Sequence, residues 1–392
     1  MGHLIHKLGL AKDPLDQDEI IKGNYRRVLA RRKEEKLSGK TINLSFKDIR
    51  IGEQTYTIVD TPGDVGYGKN EIVGVFDSDY AIFVISAIPS ELYQSLSVRT
   101  IEQHALILRS FSIHDVILVV NKMEAVGWDR AAFQRTLMKV KEAFERRRYR
   151  PRIMEVIPTS GLTGANLIAI ENKADWYDGI SLHHALSKLR VQDGNTRDQP
   201  LRLPVQGLFN REEDSLVITA RLQSGSLRIG DKIVIMPQDL HSSVKSLENV
   251  HSAIDEAGPG ENIGARIVAP ADRLKRGMIG SHAGSRVASD FVANLFVYDH
   301  PTIVRMGYTP VFHIHCAHVR GTIHKIISRT DEEGHDTSFS PSFIQNGDHV
   351  RCRIHLLEPT SIESVLEFPT LSRFAIRDNG LTIGGGTVEE VL

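Results

Sequence analysis

Three short apolar runs in this chain each stop on a small polar motif, and that pattern constrains the fold more than any other feature. YTIV runs into Asp60-Thr61-Pro62-Gly63, VILVV into Asn121-Lys122-Met123-Glu124, and MEVIP into Thr159-Ser160-Gly161-Leu162. Continuous runs such as YAIFVISA and VILVV suit strands buried on both faces of a parallel sheet. Strands are expected at Tyr56–Val59, Asp79–Ala87, Asp115–Asn121 and Ile153–Pro158. Two helical patterns lie between them. One runs from about Gln94 to Ser110, with Leu96, Ile101, Ala105 and Leu108 in phase. The other runs from about Arg130 to Arg148, with Phe133, Leu137, Val140 and Phe144. Alternation of this kind predicts a doubly wound α/β domain, whose ligands bind at the carboxyl ends of the strands.

The texture changes near residue 190. VQDGNTRDQP is polar with Gly and Pro and predicts a linker over 191–199. Beyond it, LVITARL, KIVIMP, NIGARIV, FVANLFV and VFHIHC recur between Gly, Asp, Asn and Pro clusters, the signature of small β-barrels. A break near Ala283–Arg286 predicts barrels over 200–284 and 287–392, after an α/β domain over 1–190. A chain of 392 residues calls for two or three domains. No apolar run reaches the length of a membrane span. The two cysteines, Cys316 and Cys352, fit a reducing cytoplasm rather than a disulfide framework. With a net charge of −1, any contact with RNA must come from local patches.

The motifs carry chemistry. An Asp at the end of a strand, as Asp60 is, can hold Mg²⁺, usually through water, and Gly63 leaves a backbone N–H free for a γ-phosphate. Taken alone, Asp-Thr-Pro-Gly is also an ordinary strand-to-loop turn. Asn-Lys-x-Asp is the usual guanine-reading motif, its carboxylate accepting from both donors of the base. Glu124 places that carboxylate one methylene further out, and planar bidentate recognition tolerates such a displacement poorly. The turn Ser160-Gly161-Leu162 would back the guanine carbonyl with a backbone N–H. Order and placement on successive strand ends give the three motifs joint weight that none has alone.

DTPG, NKME and TSGLTGANL, with GKTINLS, QPLRLPVQ and the C-terminal RFAIRDNGLTIGGGTV, resemble the elongation factor 1-alpha superfamily of translational GTPases. The resemblance spans essentially the whole chain. TSGLTGANLI, ADWYDGISL and PLRLPV are most similar to the eukaryotic release factor 3 and Hbs1 branches. It implies a G domain followed by two β-barrels, GTP or GDP with Mg²⁺, and Thr41 and Asp60 at the metal, with Asp60 to Gly63 as the switch II motif. It also implies action at the ribosome, with a Pelota-like or release-factor-like protein, or aminoacyl-tRNA, as partner.

The sequence departs from that pattern in two places. No Gly-x-x-x-x-Gly-Lys-Ser/Thr phosphate loop occurs. Ser38-Gly39-Lys40-Thr41 ends correctly but has Glu34 where the first glycine belongs, and Gly68-Lys69-Asn70 lacks the hydroxyl. GHLIHKLG resembles the family's first helix, so the sheet is expected to be N-terminally incomplete. Asp64 stands where the family has the histidine that places the attacking water, so no catalytic residue is assigned. Gly66 and Gly68 are expected to weaken any helix there. Two explanations stand side by side: a degenerate GTPase-like factor with impaired GTP binding and hydrolysis, or an active translational GTPase whose phosphate loop is encoded upstream of this sequence.

Two other clusters have plainer readings. His313, His315, Cys316 and His318 on one continuous strand would point to opposite faces, so no zinc is expected. Arg146-Arg147-Arg148-Tyr149-Arg150 complements the C-terminus of a helix, with ribosomal RNA as the sharper alternative. Arg320, Lys325 and Arg329 are similarly open.

Overall fold

Gly52 and Glu53 form a two-residue loop between strands β1 (Ser45–Ile51) and β2 (Gln54–Asp60), which pair antiparallel from Ile51↔Gln54 to Ser45↔Asp60. Gly52 has φ +63, the conformation that the first position of such a hairpin loop demands. The computed structural model containing this hairpin describes residues 1–11, 15, 19–20, 22, 24–29, 34–35, 41–190, 196–209, 215–249, 252–270, 272–331 and 333–392. The chain divides into two compact units, Met1–Val191 and Gln192–Leu392. The phosphate-loop-like residues Ser38-Gly39-Lys40 and linker residues 191–195 lie outside the described residues.

In the first unit, β3 (Ala81–Ser86), β4 (Asp115–Asn121) and β5 (Arg152–Pro158) form a parallel sheet in the order β3-β4-β5. Burial on both faces holds for the central strand, where Val116–Val120 are all at most 3% exposed. It does not hold for β3, whose Val84 is 51% exposed. The expectation of one parallel sheet including Tyr56–Val59 needs correction. Among the described residues that strand pairs only with β1, and no ladder joins β2 to β3.

Among the described residues these strands are accompanied by helices α1 (Gly2–Lys7), α2 (Gly68–Phe76), α3 (Pro89–Ser97), α4 (Thr100–Ser110), α5 (Arg130–Arg146) and α6 (Leu182–Ser187). The single helix expected over 94–110 is two. Arg99 takes the left-handed φ of 56, which an α-helix cannot continue through, and α4 starts afresh after it. Asp129 caps α5 by accepting from the Ala131 and Ala132 N–H groups, and Phe133, Val140 and Phe144 form its buried stripe. Leu4 and Ile5 of α1 are fully buried in one cluster with Ile117, Val119, Ile157, Leu182 and Leu186.

The second unit holds two β-barrels. In the first, strands follow the order Leu203–Pro204, Ile279–Ser281, Lys232–Met236, Leu240–Asn249, Asn262–Ile267 and Leu216–Arg221. The segment around residues 202–209 closes the ring, because Arg202 bridges Ser224 and Gly207–Phe209 pairs with Val217–Thr219. In the second, six strands close through Val311–Ile314, which pairs with both Arg373–Asp378 and Ala317–Thr330. Leu203, Ile218, Ile235 and Ile267 fill the first barrel, and Phe291, Phe312, Phe374 and Ile354 the second.

The C-terminal glycines have a steric reason. On the strand Leu381–Val391, a Cβ at Gly384 would fall on the Phe296 carbonyl oxygen, and one at Gly386 on that of Asn294. HIHCAH also differs from expectation. The strand stops at Ile314 and His315 turns with φ 44, so His313 and His318 meet across a hairpin, ring centroids 4.4 Å apart. Strand alternation therefore does not apply to the cluster. Among the described residues no group of three His, Cys, Asp or Glu side chains is placed to hold a metal.

Candidate functional site

β4 and β5 end side by side, and their two motifs are joined there. The Thr159 N–H donates to the Val120 carbonyl and the Met123 N–H to the Thr159 carbonyl. Asn121 Oδ1 accepts from the Gly161 N–H at 2.7 Å. That bond orients the amide, because only the oxygen can accept, and leaves Nδ2 as the free donor. Ser160 is buried, and its hydroxyl accepts from the Thr163 N–H at 3.0 Å, closing the turn. Leu162 is 49% exposed at its tip.

Met123 is fully buried and anchors the loop after β4. Lys122 takes the left-handed φ of 65, and its Nζ meets both oxygens of Glu91 on α3. The lysine holds the Glu91 carboxyl below the usual carboxylate range, against the opposing effect of burial. Glu124 Oε2 is buried and has no hydrogen-bond partner among the described residues. An orphaned carboxylate oxygen at residue 124, the position expected from the sequence to read guanine, fits a ligand with donors to offer, and guanine has two on one edge.

At the end of β2, the Thr41 hydroxyl donates to Asp60 Oδ2 at 3.2 Å. Burial pushes the Asp60 carboxyl up, and the Thr41 bond only partly offsets it. A hydroxyl and a carboxylate together are oxygen donors of the kind that Mg²⁺ accepts. Thr61, Pro62 and Gly63 follow without regular structure, and a side chain at Gly63 would meet open space. Asp64 accepts from the Gly66 N–H at 3.0 Å and caps a 3₁₀ turn over Val65–Tyr67. The expectation that glycines would weaken structure here is corrected: α2 begins at Gly68, directly after the capped turn.

Sequence reasoning missed several neighbours of these motifs. Glu35 is buried and accepts from the Ile42 and Asn43 N–H groups at 2.8 and 2.9 Å, fixing the backbone beside Thr41. On α4, His104 lies 2.5 Å from Glu71 of α2. Burial opposes its charge, but the Glu71 carboxylate and the Gly63 carbonyl outweigh that and hold its pKa above the ordinary value. His3 and Lys7 of α1 touch the Gly161–Gly164 turn. Their i, i+4 spacing could have marked one helix face, but nothing in the spacing names the partner. The basic residues are largely satisfied. Arg146 pairs with Glu102 at 3.0 Å, and Arg329 with Asp348 at 3.0 Å.

Comparison with known proteins gives the same architecture. The elongation factor Tu GTP-binding domain matches residues 1–197, elongation factor Tu domain 2 matches 216–280, and the GTP-eEF1A C-terminal domain-like family matches 290–389. Elongation factor 1-alpha of Aeropyrum pernix is 33% identical over 407 residues, covering 100% of this chain and 93% of that protein. The Hyperthermus butylicus protein is 32% identical over 406 residues, covering 100% and 92%. Among solved structures, the Saccharomyces cerevisiae Ski7 GTPase-like domain bound to GTP aligns over 99% of this chain and 93% of its own, with TM-score 0.69 and 16% identity. Elongation factor SelB of Methanococcus maripaludis with a GTP analogue aligns over 90% and 74%, with TM-score 0.68 and 18% identity. These two share the fold. With the sequence relatives and the first domain match together, the chain belongs to the elongation factor 1-alpha family of translational GTPases.

Proposed function

We propose that this protein is a translation factor acting at the ribosome, and that its 392 residues hold the base of a guanine nucleotide far better than its phosphates. The observation that carries this reading is the assembled base end, with Gly161 bonded to Asn121 and a buried Glu124 oxygen lacking a partner among the described residues. Asn121, Lys122, Met123, Glu124, Ser160, Gly161 and Leu162 form that end. Thr41 and Asp60 would hold Mg²⁺, beside Thr61, Pro62 and Gly63. When bound, the metal would neutralise phosphate charge. The chain's own residues supply no Walker lysine, and Asp64 would set a carboxylate where water must be placed, adding like-charge repulsion beside a γ-phosphate.

The barrels would dock the ribosome and a partner, either a Pelota-like or release-factor-like protein or aminoacyl-tRNA, in the cytoplasm. None of the described helices is long and apolar enough to cross a membrane. Co-sedimentation with ribosomes at low salt tests this reading: association is expected, and its absence would count against it. A second reading, an active translational GTPase with a loop encoded upstream, is favoured by the retained Thr41–Asp60 pair. The genomic reading frame separates the two.

The domain limits are proposed as 1–190, 200–284 and 287–392, with 191–199 as a cleavable linker. Limited proteolysis should cut in that linker. Cleavage confined to residues 216–222 or 291–297, which lie on ordered strands or at their ends, would contradict these limits.

A further inference from the structure

Gly161 is gripped from both sides. Its N–H donates to Asn121 Oδ1 at 2.7 Å, and its carbonyl accepts from His3 Nδ1 at 2.8 Å. His3 lies on α1, 158 positions earlier in the chain. A carbonyl partner requires the proton on Nδ1. Burial, foremost, keeps the His3 pKa below its ordinary value, so the ring remains a neutral donor at neutral pH. Its orientation is set from the other side, where the ring stacks face to face on Tyr25 at 3.6 Å and 7°. Tyr25 is itself buried.

One turn further along α1, Lys7 Nζ donates to the Gly164 carbonyl at 3.2 Å. Gly164 has φ +84, and a Cβ there would lie 2.5 Å from Lys7 Cε and 2.7 Å from His3 Cε1. The helix therefore rests on the turn with no space between them. Leu4 and Ile5, fully buried between the two contact residues, fix α1 to the core. A turn carrying two glycines would otherwise sample many conformations.

We propose that His3 is a positioning residue for the base end of the site: with Lys7 it braces the Thr159–Ala165 turn, holding the Gly161 peptide against Asn121 and so aiming the Asn121 amide. The inference rests on reading residues 121–124 and 160–162 as the guanine end. The recognition element is thereby completed by a helix from the opposite end of the domain sequence, which no local motif reveals. His3 acts through Gly161 and Asn121, and no contact of its own with the base is invoked.

Amide hydrogen exchange in the nucleotide-free 392-residue protein tests the brace. His3→Phe keeps a ring to stack on Tyr25 but removes the donor, and His3→Asn restores an N–H close to the Nδ1 position. In His3→Phe the amides of Gly161, Thr163 and Gly164 should exchange about tenfold faster, the scale expected for one lost hydrogen bond. The amides of β4 should not change, and His3→Asn should return the turn toward wild-type protection. Unchanged exchange in His3→Phe, or equally fast exchange in His3→Asn, would overturn the proposal. If His3→Phe does not fold, Lys7→Met is read on Gly164 and Ala165 in its place, with faster exchange supporting the brace and no change overturning it. A separate titration with millimolar GDP and Mg²⁺, followed through the Asn121 and Glu124 amide resonances of the wild type, tests the site reading. Absence of any shift there would remove that reading and leave the exchange result on the brace intact.

Discussion

Lys122 Nζ lies 2.7 Å from Glu91 Oε2 and 2.8 Å from Oε1, so the lysine of the Asn-Lys-Met-Glu motif is held by a carboxylate on α3. Both side chains are more than two-fifths exposed, and such pairs contribute at most about 1 kcal/mol. The Glu91 carboxyl is held low chiefly by Lys122, so the contribution is present above about pH 4.3 and lost as pH falls through the lower folded value. Both tryptophans, Trp128 and Trp176, lie in the first unit, so a fluorescence-monitored urea midpoint reports on it alone. Glu91→Gln should lower that midpoint slightly at neutral pH and leave it unchanged in acid. A loss that persists in acid would show that packing, not charge, is what Glu91 supplies.

His104 and Glu71 give the opposite pH signature. The folded pKa of His104 is raised, so its stabilisation is complete below about pH 6.5 and fades as pH rises through the folded value. The Glu71 side chain is 5% exposed, which leaves little solvent screening of the pair. His104→Gln should lower the fluorescence midpoint clearly in mildly acidic buffer, with the deficit narrowing toward alkaline pH. A deficit independent of pH would mean that the imidazole is neutral throughout.

Arg202 and Glu363, 2.5 Å apart and 10% and 1% exposed, are a buried ion pair within the second unit, with Phe368 beneath the guanidinium at 4.3 Å. Removing one partner strands the other. Arg202→Met should destabilise that unit by about 3–5 kcal/mol, and Arg202→Met with Glu363→Leu should recover much of the loss. Scanning calorimetry checks this on the transition that tryptophan fluorescence does not report. Equal losses in the single and double variants would contradict it.

Gly384→Ala should also destabilise the second unit, by about 1–3 kcal/mol, because its methyl group would meet the Phe296 carbonyl oxygen rather than a flexible side chain. Gly280, on a strand of the first barrel, would place a Cβ no nearer than 3.6 Å to Leu203, an ordinary contact. Gly280→Ala should therefore cost less in the same calorimetric scan. The reverse order would mean that the strands adjust freely at Gly384.

Much of this was legible in the sequence because local pattern and fold agreed. VILVV became the buried central strand β4, and the three motifs fell at strand ends. Burial misled at β3, where YAIFVISA reads as covered on both faces yet Val84 is exposed, because strand neighbours are set by topology and not by the run itself. The helix over 94–110 was read as continuous because periodicity carries no sign of the left-handed residue at Arg99. HIHCAH was read as one strand because no Gly, Asn or Pro marks its turn, and His315 adopts positive φ without that signal. His3, Lys7, Glu71 and His104 were illegible for a different reason. Their partners are remote in sequence, and spacing cannot point across such a distance.

The proposed base end is assembled, while the sequence contains no Walker lysine and no glycine-rich phosphate loop. Base contacts are a small share of nucleotide affinity in this fold, where the phosphates carry most of the charge. Calorimetric titration of GTP and of GDP, each with Mg²⁺, into the 392-residue protein tests this most directly. No binding in the micromolar range is predicted, nor turnover above a protein-free blank, and Glu124→Asp with Asp64→His should change neither result. Micromolar affinity for either nucleotide would contradict the account, because it would require residues of this chain to hold the phosphates without that loop.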